Sequence, residues 1–197
     1  MQGGSGGTAG ASACAGAGGV STLFFDAFEC GTQAWTQQPL AAFALAVDGS
    51  NTFQRGAVTT SLAYATAGSA SFGNVRIEAR VKALTFTDTT TSSYVIVYGH
   101  FVDTNNYLAI AWQGDGSVAI RERKNGGGGD AYNRDTLLTT GEWYTLALEL
   151  SGDTAKTLVN GVVISTTSQN PTTPGRIAIG TANATARFDD VRVTQLP

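Results

Sequence analysis

The chain has 197 residues, a net charge of −3, 25 glycines and only 14% charged side chains. An acidic balance excludes a general nucleic-acid binder, whose binding domain is basic. No apolar run approaches the roughly 18 residues of a membrane-spanning helix. One domain is the expectation, since all-β sandwiches reach about 200 residues as a single unit.

Residues 1–21 are almost entirely Gly, Ala and Ser. They hold too little apolar area to repay ordering, so they read as a flexible linker, and residues 22–197 as the folded body. Met1 runs almost directly into the glycine-rich stretch, with no basic region and apolar core of a signal peptide between them. The expectation is a trimmed chain whose export signal and upstream module are absent from this sequence. Cys14 and Cys30 are too few for a disulfide scaffold. They read either as one bridge, pinning the linker to the first strand, or as two unrelated thiols.

Within the body, period-two alternation dominates. Val75, Ile77, Ala79 and Val81 alternate with Arg76, Glu78, Arg80 and Lys82, the pattern of a half-buried strand with one charged face. Tyr94 to Phe101 and Tyr107 to Trp112 are short β-forming runs, with a turn at Asp103-Thr104-Asn105-Asn106. Val118 to Arg123 follows Gly114-Asp115-Gly116, and Asn125 with four glycines behind it forms a loop. From Glu142 to Leu150, Trp143, Thr145, Ala147 and Glu149 share one face; Tyr144, Leu146, Leu148 and Leu150 share the other. Trp143 is expected to be largely buried. Asn160-Gly161 closes a hairpin through a type I′ turn. Gly175 to Gly180 and Phe188 to Val193 complete about a dozen strands. With no amphipathic helix, the expected fold is all-β, a two-sheet antiparallel sandwich.

Several segments resemble a known family. Thr140 to Leu146, then Gly152-Asp153, then Val159-Asn160-Gly161 resemble the laminin-G-like, concanavalin-A-like jelly-roll signature. Phe24 to Glu29 with Trp35 resembles its opening strand, and Phe188 to Val193 its closing one. Val47 to Ser50, Val75 to Lys82 and Asn106 to Leu108 resemble the module attached to bacterial pectate lyases. Where that family often has Arg, this chain has His100, and Trp112 stands where a polar or basic residue is common. The resemblance implies a non-catalytic, lectin-like carbohydrate-binding or accessory module of a secreted bacterial enzyme. It implies an extracellular monomer tethered to an enzyme domain, with no membrane partner. A ligand-free adhesion or structural spacer and a catalytic lyase or hydrolase are the alternatives.

The chemistry-bearing residues fit those readings unequally. Catalytic glucanases of this fold need paired carboxylates as acid and nucleophile or base. No strand here has them in that spacing, and Glu78 stands alone among basic neighbours. A polyuronate lyase needs a Tyr/His pair, and alternation places Tyr98 and His100 on one face. No Gly-x-Ser-x-Gly elbow is present, and Gly126 to Gly129 lacks the lysine of a phosphate loop. Asp26, Glu29, Asp189 and Asp190 come from the first and last strands, which often pair; together they suit a structural Ca²⁺. They read otherwise as solvated edge carboxylates or strand-end caps. Seven of the twelve basic residues lie between Arg76 and Arg134. If their strands are neighbours, Glu78, Arg80, Tyr98, His100, Arg121 and Arg123 converge on one groove, with Tyr98 or Trp112 stacking on a pyranose. The expected ligand is an acidic polysaccharide such as polygalacturonate, whose carboxylate a guanidinium grips bidentately.

Overall fold

The structure, a computed structural model, describes residues 21–58, 61–168 and 174–197. Most of the expected linker, with Cys14, lies outside the described residues; Cys30 is disulfide-bonded. The chain opens with β1 (Thr22–Asp26), β2 (Thr36–Gln38), β3 (Ala44–Asp48), β4 (Ser50–Arg55) and β5 (Leu62–Phe72). Next come β6 (Val75–Phe86), β7 (Tyr94–Asp103), β8 (Asn106–Gln113), β9 (Val118–Arg123) and β10 (Asp130–Asn133). It closes with β11 (Tyr144–Ser151), β12 (Thr154–Val159), β13 (Val162–Thr167), β14 (Gly175–Ala182) and β15 (Ala184–Gln195).

These strands form two antiparallel sheets. The back sheet has the order β13-β12-β11-β6-β15-β4-β3, with β1 also on β15. The front sheet has the order β10-β9-β8-β7-β14-β5-β2. β15 is split by a register break at Asp189 and Asp190, where Asp190 takes φ 47°. Ahead of the break β15 pairs with β4, and beyond it with β1, so the first and last strands lie side by side.

Alternation explains which side chains enter the space between the sheets. Val75, Ile77, Ala79 and Val81 of β6 point inward and are fully buried. They meet Val95 and Val97 of β7 and Leu146, Leu148 and Leu150 of β11 in one apolar cluster. Gly99 sits where the sheets press closest: a Cβ there would lie 2.7 Å from Ile77 Cδ1 and 3.0 Å from Leu148 and Leu150. The Asn160-Gly161 turn has φ of 49° and 81°, both positive as a type I′ turn demands, and joins Val159 to Val162.

Trp143 does not join the core. β11 begins at Tyr144, whose ring packs edge-on against Trp112 at 5.3 Å. Trp143 is therefore on the opposite side, half-buried on the outer surface of the back sheet. Arg80 and Lys82 lie over its ring at 4.8 and 5.8 Å. The buried tryptophan of this end is Trp112, in contact with Phe86 as well as Tyr144. Trp112→Ala is expected to cost about 3–5 kcal/mol. Trp143→Ala is expected to cost about 1 kcal/mol or less. Urea unfolding of both variants checks this; equal losses would contradict the placement.

Candidate functional site

The front sheet has an outward face built from the second half of each strand's alternation. Register sets Tyr98 opposite Ala109 and Ala109 opposite Arg121; it sets Tyr94 opposite Gln113 and Ala178 opposite Tyr98. Tyr64 of β5 lies beside Gly180 on the far side of β14. The central positions Ala109, Ala111, Ala178 and Gly180 are small. Large side chains lean over them: a Cβ on Gly180 would lie 3.3 Å from the Tyr98 ring. Tyr98 packs edge-on against Tyr107 at 4.9 Å and against Phe101 at 5.1 Å, and Tyr64 touches Phe101 at 5.2 Å. The result is an outward-facing aromatic cluster whose members Tyr98, Phe101 and Tyr107 are nevertheless buried.

One charge cluster borders it. Arg121 places its guanidinium 4.2 Å over the Tyr94 ring. Its Nε and Nη2 reach Asp130 Oδ2 at 3.0 and 2.9 Å, while Arg123 Nη1 holds Asp130 Oδ1 at 2.9 Å. The Tyr132 hydroxyl also donates to Asp130, at 3.3 Å. Burial alone would raise the Asp130 carboxyl. The hydrogen bonds and charges of the two arginines outweigh it and hold that carboxyl below its ordinary range. Burial pushes the Tyr98 and Tyr107 phenols up, so both stay neutral at physiological pH.

The expected groove does not assemble as one surface. Tyr98, Arg121 and Arg123 do share the front face. Glu78 and Arg80 lie on the outer face of the back sheet, with the whole core between the two sets. There Arg80 bonds Asp189 and Asp190, both at 3.3 Å. Glu78 bonds Arg76 at 2.9 Å. Trp112 is not a stacking platform, because it fills the core. His100 does not share the face of Tyr98. It takes φ 49° where the β7–β8 and β7–β14 registers both slip, and Phe101 occupies the outward place instead. The buried His100 ring sits 2.9 Å from the Gly73 carbonyl.

The four carboxylates near the chain ends each have partners of their own. Asp26 is buried and accepts from Phe28 N at 2.8 Å and Trp35 Nε1 at 2.7 Å. Burial raises its carboxyl despite those two donors. Glu29 accepts from Asn51 N and Nδ2 at 2.9 and 3.0 Å. Asp189 accepts from Ser50 at 2.9 Å and shares Arg80 with Asp190. Among the described residues no group of three or more His, Cys, Asp or Glu is placed to hold a metal ion.

Sequence reasoning missed Gln113, Tyr94, Tyr64 and Asp130. Only the sheet registers place them on the face that carries Arg121, and no local motif marks them.

Fold and face together define an antiparallel jelly-roll sandwich with an aromatic, arginine-bearing surface on one sheet. Residues 59–196 match the model of the concanavalin A-like lectin/glucanases superfamily of laminin-G type, and the chain belongs to that family. No curated protein sequence is significantly similar to it. Among solved structures, it is similar to the carbohydrate-binding module CBM66 from Bacillus subtilis: TM-score 0.65 at 15% identity, covering 83% of this chain and 97% of that one. It is similar to a β-glucanase of Bacillus licheniformis, with TM-score 0.66 at 14% identity over 91% of this chain and 100% of that one. A third likeness is to a structure from work on endo-acting O-glycanases of the human gut microbiota: TM-score 0.66, 13% identity, 90% of this chain and 100% of that one. These likenesses show the fold.

Two outcomes follow from the charges. The folded Asp130 value is depressed. Its contribution to stability is therefore whole above the unfolded value of about 4 and lost as pH falls through the lower folded value. Asp130→Asn is expected to cost about 3 kcal/mol near neutral pH, since it leaves Arg121 buried without its counter-charge. Urea unfolding as a function of pH should show the gap to wild type closing in acid; a constant gap would contradict the assignment. Chelation by EDTA is expected to leave the melting temperature unchanged, because no three of the end carboxylates share a centre among the described residues.

Proposed function

We propose that this chain is a non-catalytic carbohydrate-binding or accessory module, tethered to a secreted polysaccharide-degrading enzyme and acting on its substrate through the front sheet. The observation that carries the reading is the Tyr94–Arg121 stack standing beside the Tyr64, Tyr98, Phe101 and Tyr107 cluster. Aromatic rings offer a pyranose an apolar face with polar edges. A planar guanidinium offers a carboxylate two parallel donors. The combination suits an acidic plant cell-wall polysaccharide of the polygalacturonate kind. The similarity in fold to a carbohydrate-binding module and to a β-glucanase supports the sugar class.

The non-catalytic part of the reading has its own support. Glycoside hydrolysis needs two carboxyl groups flanking the bond. Asp130, the carboxylate beside the aromatic cluster, is held by two guanidiniums and a phenol. Tyr98 has no histidine beside it, since His100 turns away at the bulge.

Calorimetric titration with oligogalacturonides, against neutral xylo- and gluco-oligosaccharides, tests the proposal. The acidic oligomers are expected to bind more tightly, because a carboxylate accepts the parallel donors of a guanidinium. Tyr94→Ala and Arg121→Ala are each expected to weaken binding about tenfold, the equivalent of roughly 1.4 kcal/mol. Equal binding of neutral sugars would remove the acidic assignment. Unchanged affinity in both variants would remove the face.

A further inference from the structure

Among the described residues one buried side chain on the front face has its entire hydrogen-bonding capacity unspent. Gln113 is fully buried, and neither its Oε1 nor its Nε2 has a partner. It sits on the last position of β8, and its cross-strand neighbour is Tyr94, the residue that supports Arg121. Arg121 repeats the theme. Its Nε and Nη2 are spent on Asp130, while its buried Nη1 has no partner. Burying an unpaired amide is unfavourable by about 1–3 kcal/mol. An apolar side chain of the same length would avoid that. Two orphaned groups bracketing one tyrosine therefore point to a ligand that satisfies both.

We propose that Gln113 is a specificity-determining residue of the sugar-binding face, and that the ligand is an oligosaccharide presenting a carboxylate to Arg121 Nη1 and a vicinal pair of hydroxyls to the Gln113 amide. The inference rests on the carbohydrate-binding reading above. A primary amide offers one acceptor and two donors side by side. Neighbouring ring hydroxyls match that pattern, one donating to Oε1 and the other accepting from Nε2. A lone carboxylate does not match it, since it offers no donor to Oε1. The two groups flank one ring: Tyr94 pairs with Gln113 across the strands, and the Arg121 guanidinium lies 4.2 Å over it. Both groups are closed to solvent in the unliganded chain, so binding displaces the Tyr94 ring from its place beside them.

The experiment uses the whole chain with galacturonic acid, digalacturonate and tetragalacturonate as probes. In wild type, the Gln113 side-chain amide resonance is expected to shift on titration with tetragalacturonate. Gln113→Met keeps the length and removes both orphaned atoms. It is expected to keep or raise the melting temperature while losing about tenfold in affinity for tetragalacturonate. Gln113→Glu keeps an acceptor and adds a like charge, so it is expected to lose more for acidic oligomers than for neutral ones. Affinity within twofold of wild type in Gln113→Met, or an unmoved amide resonance while Tyr94→Ala still weakens binding, overturns the role of Gln113 and leaves the sugar-binding face standing. Absence of binding by wild type to every oligosaccharide overturns both.

Discussion

Ile77, Ala79 and Val81 on β6, facing Val95, Val97 and Gly99 on β7, are where the back and front sheets meet. Strand β6 belongs to one sheet and β7 to the other, so the chain crosses the sandwich between Phe86 and Tyr94. Every later element inherits that crossing. Strands β8, β9 and β10 continue from β7 along the front sheet, whereas β11, β12 and β13 extend from β6 along the back. Outward residues before the crossing and outward residues just after it look in opposite directions. The arginines of β6 and those of β9 consequently belong to different surfaces, however close they stand in sequence.

The two surfaces also differ in what their charges are doing. On the back sheet, Arg76 bonds Glu78 and Glu149, Arg80 bonds the Asp189–Asp190 pair, and Lys82 and Arg187 share Asp48. At least one partner of each of these pairs is partly exposed, so most of them contribute little. They are mutually satisfied, so a ligand there would have to compete with carboxylates already in place. On the front sheet the ion pair is smaller and drier. Asp130 and Arg121 are both about nine-tenths buried at the side chain, with 10% and 11% exposed. A charge so desolvated needs its partner, and Asp130 supplies one while leaving Nη1 of Arg121 unspent. Exposure and saturation thus favour the front face over the back, although the back has the greater number of arginines and lysines.

How far the sequence reveals this depends on the range of the interactions involved. The β6 strand is legible because its alternation is local and unbroken from Val75 to Ala83. The Asn160-Gly161 hairpin is legible because the turn's positive φ values demand those residue types. Trp143 is misread by size: a large aromatic suggests the core, but its parity with Thr145 and Glu149 already places it outside. β5 leaves little trace, since the alanines Ala63, Ala65 and Ala67 carry no strong β signal. His100 fails for another reason. Alternation predicts its face only while the strand stays regular, and a bulge inserts one residue and reverses parity. Strand partition between the sheets is not local at all, so the convergence of Arg80 with Arg121 could not be checked before the topology was known. Gln113 is invisible in the same way. A glutamine at a strand end is ordinary until its surroundings show that nothing satisfies it.

The small residues of the front face link these observations. Ala109, Ala111, Ala178 and Gly180 give the middle strands almost no outward bulk. Side chains rooted on neighbouring strands can therefore lie flat across them: Tyr94 and Arg121 over one part, Tyr98, Phe101 and Tyr107 over another. With Val or Leu on that floor the same rings would stand upright and splay apart. Gln113 and Arg121 are buried on this face, so its chemistry depends in part on residues that have no chemistry of their own. Packing of this kind also makes the face self-covering. With no third layer on it among the described residues, it keeps its polar atoms dry by folding its own aromatics over them. In the proposed sugar-binding role, an entering sugar would replace one set of stacked rings with another apolar surface, and its hydrogen bonds would form out of water, where they discriminate best.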